Sequence, residues 1–331
     1  MAKVNDPRGP GTRVSATVVM YHYVRPIADS CWPGIKGCDL ADFDGQLNYI
    51  ARHYDVVAAD TLVSAASGAT EMPARACLLT FDDGLRDHVD HVFPRLVARG
   101  WPASFFPPAE SSLNRKVLDV HKIHHLLAAT PDPSTLVPRV LAAIATWRRE
   151  FSLEAPRVLF ERLAVASRFD TADVMFLKRA LQRELPKPVR ASITAELFAD
   201  LVSADEEAFA RELYGDLDEW RSMAAAGMDI GGHGYHHECL TSLNAADRTE
   251  ELDRTAEFVA MVRNGRSDSW SMSYPHGSYD DAIVALAVER GANIGFANRG
   301  GVADDLTDLM RLPRLDTKDL PTNPDAPPPT R

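Results

Sequence analysis

The chain has 331 residues, 45% of them apolar, and can therefore bury the core of one large domain or two ordinary ones. It contains 36 lysines and arginines and 47 aspartates and glutamates. The resulting formal net charge of −11 argues against nucleic acid or an anionic membrane as a partner. The four cysteines are scattered without paired spacing, so we expect reduced thiols rather than a zinc or redox motif.

The two ends of the chain differ in composition from the rest. Residues 1–14 are polar, with Gly and Pro but no apolar signal-peptide segment, and we expect a flexible leader. Residues 321–331 are rich in Pro and are predicted to form a disordered tail. No stretch approaches the about 18 apolar residues that a membrane-spanning helix needs. We therefore expect a cytoplasmic protein without stable membrane insertion.

Strand and helix patterns alternate along the first third of the chain. The β-branched run 16–24 predicts a buried strand, and a helix capped by Asp39 is predicted to reach about residue 53. A second apolar strand covers 76–81 and is followed by a helical pattern that ends at Gly100. A third strand is predicted over 102–108.

The rest of the chain divides into a helical part and a second alternating part. Residues 111–216 lack strand signals and predict a mostly helical insertion within a single domain that spans 15–320. The alternation elsewhere predicts an α/β fold with a parallel sheet or barrel, whose site lies at the carboxyl ends of the strands. The further predicted strands are 228–232, 270–275 and 293–297, and the further helices are 244–262 and 280–290.

Two adjacent carboxylates end the second buried strand. Asp82 and Asp83 are followed by Gly84, which permits a tight turn, so both acids are predicted at the edge of the sheet. Side chains alternate along a strand, and one carboxylate can therefore bind a metal while the other accepts a proton. An ordinary Asp-Asp-Gly turn is the alternative interpretation.

Two histidines and a later turn can complete such a site. His233 and His237 lie at i and i+4 and, with one Asp, would give a cation three protein ligands and an open position for water. The sequence Tyr274-Pro275-His276-Gly277 ends another predicted strand, and its backbone N–H groups could donate to an oxyanion. A plain strand-ending turn is the alternative for this segment.

Together, Leu79-Thr80-Phe81-Asp82-Asp83-Gly84, the segment Ile230–His237 and Tyr274–Gly277 resemble the polysaccharide deacetylases with the NodB homology domain, carbohydrate esterase family 4. Tyr21-His22 is similar to the opening segment of that family. The resemblance implies a distorted (β/α) barrel of the NodB type, here with a helical insertion. It covers most of the chain apart from the insertion and the two ends.

The resemblance also implies a role for each matching residue. Asp82 resembles the catalytic base, and Asp83, His233 and His237 resemble the ligands of one divalent ion. Zinc is the first expectation, with cobalt, manganese, nickel and iron as alternatives. The backbone N–H of His276 resembles the oxyanion donor.

The sequence departs from the family pattern at three places. Gly234 follows the first ligand histidine, where the family usually has Ser or Thr. Ser273 stands where an arginine often orients the base, and Arg314 is a candidate replacement, with a structural ion pair as the alternative. The late histidine that serves as proton donor is absent, and His121 or His125 of the insertion is the favoured substitute. His124 and His22 are further candidates, and packing within the insertion is the alternative role for the inserted histidines.

We therefore expect a metal-dependent hydrolase that removes an acetyl or formyl group from the nitrogen of a sugar. The long insertion and the absence of a signal segment favour a small substrate, such as a nucleotide-linked or lipid-linked sugar or a glycan precursor. One alternative is a catalytically weak relative that binds carbohydrate. Another is an amidase that acts on a non-sugar amide.

Overall fold

The computed structural model describes residues 15–265 and 269–327. The leader predicted for residues 1–14 lies outside this range, as do the last four residues of the predicted tail. Within the tail, the carbonyl of Pro324 lies 2.8 Å from Nε2 of His53, and Asp325 pairs with Arg52. In the described residues, no helix is long and apolar enough to cross a membrane.

The chain forms two compact units. The first, called the barrel unit, contains all of the predicted sheet, and the second, called the helical unit, contains most of the predicted insertion. Among the described residues, the barrel unit comprises 15–25, 38–113, 214–265 and 269–327, and the helical unit comprises Pro26–Gly37 and Asn114–Leu213. The short segment Pro26–Gly37 joins the helical unit although the sequence pattern assigned nothing to it.

The strands of the barrel unit are parallel where they pair in the main sheet, whose order is β10-β1-β5-β6-β7, with β4 paired to β5. Two smaller pairs, β2-β3 and β8-β9, are also parallel. In chain order the strands are β1 (Thr17–Tyr21), β2 (Val24–Arg25), β3 (Cys38–Asp39), β4 (Asp55–Val56), β5 (Ala76–Asp82), β6 (Ser104–Phe106), β7 (Asp229–Ile230), β8 (Trp270–Ser273), β9 (Ala292–Phe296) and β10 (Leu315–Asp316).

Two isolated bridges connect the main sheet to the β8-β9 pair. Gly232, just beyond β7, pairs with Met272 of β8, and Phe296 of β9 pairs with Leu312, just before β10. The strands therefore follow one another around a ring, from β10 through β1, β5, β6, β7, β8 and β9 back to β10. This is the distorted (β/α) barrel that the resemblance implies, and the predicted fold class is confirmed.

Helices follow most of the strands, as the alternating pattern predicts. In chain order they are α1 (Leu40–His53), α2 (Ala59–Ala66), α3 (Phe93–Val97), α4 (Ala109–Asn114), α5 (Asp119–Ala129), α6 (Leu136–Trp147), α7 (Pro156–Leu163), α8 (Ala172–Arg179), α9 (Lys187–Leu201), α10 (Glu206–Leu213), α11 (Leu217–Ala225), α12 (Ala245–Val262) and α13 (Asp281–Glu289). The helical unit contains α5 to α10, and the barrel unit contains the others apart from the last residue of α4.

Local sequence explains the elements that lead to the site. Asp39 caps α1 by accepting the N–H of Ala41, as predicted. Every residue of β1 and β5 is buried, as expected for parallel strands covered on both faces. The helical pattern predicted after β5 is a π-helix over His88–Val92 that leads into α3. A π-turn of this kind often marks a functional site.

The helical unit has a hydrophobic core of its own. Side chains from α5 to α9 form one buried cluster, with Ile123, Val140, Phe176 and Val189 among its members. Pro26–Gly37 contributes Trp32, whose ring packs edge-on against His125 and Phe209. The inserted sequence can therefore bury its apolar faces within the unit, which explains why it needs no strand.

Candidate metal and catalytic site

The two carboxylates lie at the carboxyl end of β5, as predicted. Asp82 is the last residue of the strand, and Asp83 begins the turn with φ of 78°, its N–H donating to the carbonyl of Phe106. Gly84 has φ of 64°, and a Cβ at this position would lie 2.6 Å from Cβ of Pro107. Only glycine fits both the backbone conformation and the space, and it thereby directs the two acids to the barrel mouth.

Asp83, His233 and His237 converge on one point. The Nε2 atoms of the two imidazoles are 3.2 Å apart, and Oδ1 of Asp83 lies 3.4 Å from Nε2 of His233 and 3.3 Å from Nε2 of His237. All three residues are buried. Within the described part of the chain, these residues form a group with the composition and spacing of a metal site.

The geometry of these three atoms fits a tetrahedral cation. Zinc bonds to His and carboxylate of about 2.0–2.1 Å place neighbouring ligands roughly 3.3 Å apart, which matches the observed separations. Nδ1 of His233 lies 2.7 Å from the carbonyl of Ser273 and must donate, since a carbonyl only accepts. With its proton on Nδ1, the neutral His233 ring presents the lone pair of Nε2 to the shared point, as a metal ligand requires.

Charge at this point also favours a cation. Burial lowers the pKa of the His233 imidazole, but the negative charges of Asp82 and Asp83 outweigh burial and raise it. The surroundings thus stabilise positive charge at the place where the ligand atoms meet. A divalent cation would experience the same attraction more strongly.

Backbone strain is concentrated at this site. Asp83, His237 and His276 all have positive φ, at 78°, 59° and 56°. They are three of the six non-glycine residues in this conformation among those that the structure describes. Strain of this kind persists where the surrounding structure holds the backbone in place, and it clusters at functional sites.

Asp82 is held by Arg314 and Ser273. The guanidinium of Arg314 donates to both carboxylate oxygens of Asp82, at 2.8 and 2.7 Å, and its Nη2 also donates to Oγ of Ser273 at 3.1 Å. Burial raises the pKa of Asp82, but the charge of Arg314, followed by that of His233, lowers it to about 2. Asp82 is therefore ionised at neutral pH, and Arg314 reaches it from the segment before β10, as the sequence suggested.

His22 is a second group beside Asp82. Its Nε2 lies 3.9 Å from Oδ2 of Asp82, and its side chain is 42% exposed, so it contacts both the acid and solvent. Two residues at the start of the π-helix bind the backbone around His22. Nε2 of His88 donates to the carbonyl of His22, and the carboxylate of Asp87 accepts the N–H of Val24. The sequence included His22 only as a minor candidate, and nothing in its spacing predicted this proximity.

His276 lies next to His237 in the turn Pro275–Gly277. Its ring centroid is 4.5 Å from that of His237, and the two rings meet edge to face. Its role as a backbone oxyanion donor stays a prediction, which the position of the turn at the end of β8 makes reasonable.

His121 and His125 lie on α5 in the helical unit, and both are fully buried. Nδ1 of His125 donates to the carbonyl of His121 at 2.8 Å, and the ring of His125 packs edge-on against Trp32 and Phe209. These are contacts of the kind that packing histidines make. Their assignment as the proton donor stays a prediction.

Glu251 supports the loop that carries both histidine ligands, and sequence reasoning missed it. Its carboxylate accepts the backbone N–H of His236 at 2.9 and 3.2 Å and the ring Nδ1 of the same residue at 2.8 Å. His236 is thereby paired with Glu251 and is only 29% exposed. In the sequence, Glu251 lies at helical spacing from Phe258 and Val262, and an acid on the apolar face of a predicted helix is the one signal that could have identified it.

Known proteins resemble the chain in sequence and in fold. A family model described as polysaccharide deacetylase matches residues 191–295, a range that includes both histidine ligands and the Tyr274–Gly277 motif. The Asp82-Asp83 motif lies before the matched residues. No curated protein matches the chain significantly.

Solved structures with the same fold are deacetylases. The Streptococcus pyogenes deacetylase PplD, solved in complex with acetate, is 15% identical with a TM-score of 0.56, and the match covers 92% of this chain and 93% of that one. The BpsB deacetylase domain of Bordetella bronchiseptica is 15% identical, with a TM-score of 0.54 and coverage of 93% and 98%. A de-N-acetylase from Aggregatibacter actinomycetemcomitans is 16% identical, with a TM-score of 0.54 and coverage of 92% and 96%. At these identities the likeness establishes the fold, and with the family match it confirms the resemblance predicted from the motifs.

Proposed function

We propose that this chain, which the motifs, the family match and the fold identify as similar to the polysaccharide deacetylases, is a metal-dependent carbohydrate N-deacetylase. The observation that carries the proposal is the convergence of Asp83, His233 and His237 at tetrahedral spacing beside an ionised Asp82. Three ligands leave an open coordination position, which suits a catalytic site rather than a structural one.

A divalent cation at these three ligands would supply Lewis acidity, which makes water acidic enough to lose a proton near neutral pH. Asp82 accepts that proton as the general base. Its carboxylate is kept ionised and oriented by the two hydrogen bonds from Arg314, so it is in the basic form before substrate arrives. The hydroxide left by this proton transfer attacks the amide carbonyl of the substrate, the C–N bond breaks, and the acyl group leaves as acetate or formate.

The backbone N–H of His276 is the proposed donor to the oxyanion that forms in this attack. The positive φ of His276 directs the peptide of this turn differently from a regular strand, at the carboxyl end of β8. A donor fixed in the backbone costs little reorganisation when negative charge develops.

The leaving amine needs a proton, and two sets of histidines are candidates. His22 has the better geometric support, because it lies beside Asp82 and is open to solvent. His121 and His125 are the candidates that the sequence favoured. Replacing each histidine by Ala identifies the donor. The substitution of the donor lowers kcat without changing the bound metal, whereas the other variants keep wild-type turnover.

The substrate class we propose is an N-acylated sugar, with acetyl or formyl as the acyl group. A small nucleotide-linked or lipid-linked sugar or a glycan precursor remains the preferred substrate, and the cytoplasm remains the proposed location. Zinc is the preferred ion, because two imidazoles and one carboxylate form a borderline donor set that suits it.

A substrate panel tests this function. Purified protein is assayed for metal content and for release of acetate or formate from nucleotide-linked N-acetylhexosamines, N-acetylated oligosaccharides, their N-formyl counterparts and simple non-sugar amides. Turnover of a sugar substrate that is lost on chelation supports the proposal. Bound metal without turnover on any compound favours a carbohydrate-binding relative, and turnover of the non-sugar amides alone favours an amidase.

A further inference from the structure

The loop that carries His233 and His237 is anchored by Glu251 of α12. Glu251 is 3% exposed, and both of its carboxylate oxygens contact the backbone N–H of His236. One of these oxygens also accepts from Nδ1 of the His236 ring. A buried carboxylate that directs all of these contacts to a single residue fixes that residue in both position and orientation.

His236 is the residue through which such an anchor can act on the metal ligands. It directly precedes His237, which has a positive φ of 59°, and it lies three residues after His233. Between the two ligands the chain turns at Gly234, whose φ is 72°. The glycine has no side chain that could hold this turn. Hydrogen bonds from other elements, α4 and α12, reach the loop instead.

Other contacts reach different residues of the loop, and Nδ1 of His233 itself donates to the carbonyl of Ser273. The N–H groups of Ala109 and Glu110 donate to the carbonyls of Gly234 and Tyr235, and the guanidinium of Arg254 lies over the ring of Tyr235. These contacts hold the middle of the loop. Glu251 alone, among the contacts described here, binds the N–H of the residue next to the second ligand.

We propose that Glu251 is a positioning residue for the metal site, which it serves by holding His236 between the two ligand histidines. This rests on the proposed function only in taking Asp83, His233 and His237 as metal ligands. The Nε2 atoms of the two histidines are 3.2 Å apart, and both must present a lone pair to one point when a cation binds. Glu251 opposes the separation of these ligands by holding the backbone between them, and this preorganisation raises metal affinity.

The test compares Glu251→Gln with Glu257→Gln, an exposed glutamate on the same helix. The affinity of each metal-free protein for Zn²⁺ is measured by competition with a chromophoric chelator, and its stability is measured by thermal unfolding in EDTA. We expect Glu251→Gln to weaken zinc binding by about 10- to 100-fold, as for other residues that orient metal ligands. Glu257→Gln should keep the wild-type Kd.

A second variant keeps the test decisive if Glu251→Gln folds poorly. His236→Ala removes the ring contact but leaves the backbone N–H in place, and the partly exposed ring should tolerate truncation. We expect it to weaken zinc binding by a few fold, and to add little to the effect of Glu251→Gln when the two are combined.

The outcomes separate this inference from the function. A zinc Kd within twofold of wild type in both Glu251→Gln and His236→Ala overturns the inference, even if the metal-free variants melt earlier, because the role would then be structural. Wild-type protein that binds no zinc overturns the proposed metal site itself, and the inference with it.

Discussion

Replacing Arg314 by Gln should change the pKa of Asp82 and make the stability of the variant depend differently on pH. In the native protein burial raises the pKa of Asp82, but the charge of Arg314, followed by that of His233, lowers it from 3.8 to about 2, and both Asp82 and Arg314 are buried. This shift of about 2 units corresponds to roughly 2.5 kcal/mol of unfolding free energy. Because the folded-state pKa is depressed, that stability is present above about pH 4 and is lost as the pH falls towards 2.

Without the guanidinium, burial dominates and the pKa of Asp82 should rise above its usual value. A buried carboxylate without its partner then destabilises the fold at neutral pH, by about 3–5 kcal/mol in comparable cases. The deficit should narrow on acidification, because protonation of Asp82 removes the unpaired charge. In the variant, the contribution of Asp82 to the free energy of unfolding therefore improves as the pH falls, whereas in the native protein it is lost as the pH falls.

The assay is urea denaturation of wild type and Arg314→Gln at several pH values between 4 and 7, in EDTA so that metal binding does not contribute. Arg311→Gln is the matched control, since Arg311 forms more exposed pairs with Asp308 and Asp281 and should lose less than about 1 kcal/mol at every pH. A deficit for Arg314→Gln that is the same at pH 4 and pH 7, or no larger than that of the control, would refute the reasoning.

Three further predictions concern the site and the turn that forms it. Asp82→Asn should retain zinc, measured by elemental analysis, and lose at least about 100-fold in turnover, because the proposed base contributes factors of that size; near-native turnover would remove Asp82 from the mechanism. Chelation should abolish hydrolysis and added Zn²⁺ should restore it, and activity that persists in EDTA would contradict a metal-dependent reaction. Gly84→Ala should cost more than the about 1 kcal/mol expected for strain alone, because its Cβ would clash with Pro107. Gly68→Ala, with φ of 76° and no atoms within 4 Å, measures the strain alone in the same denaturation assay, and equal losses would exclude the clash.

Much of the barrel could be predicted from the sequence. The buried strands β1 and β5, the cap of α1 and the alternation of strands and helices follow from local patterns of residues, and they agree with the structure. Short strands such as β4 and β10 were missed. Two residues are too few to show a period, and their pairing depends on neighbours distant in the chain.

Assignments that depend on distance could not be made from the sequence. His22 and Glu251 lie beside Asp82 and His236 across 60 and 15 residues of chain. The resemblance made His22 one of several candidate proton donors, but a histidine after a strand and an acid in a helix are common in any protein, so their residue types alone did not predict these contacts. His121 and His125 were favoured as the proton donor because the sequence did not show where the insertion lies, and an insertion can contribute a histidine to a site.

By itself, the sequence determined the class of fold and indicated a chemistry for the candidate site, because strand ends with Asp-Asp-Gly and two histidines four residues apart are local patterns that limit what can form there. The tertiary structure decided which groups support that chemistry. Arg314 on Asp82 and Glu251 on His236 are contacts made when the barrel closes and α12 packs. Contacts of this kind depend on the positions of elements in space, and a local periodicity of the sequence does not predict those positions.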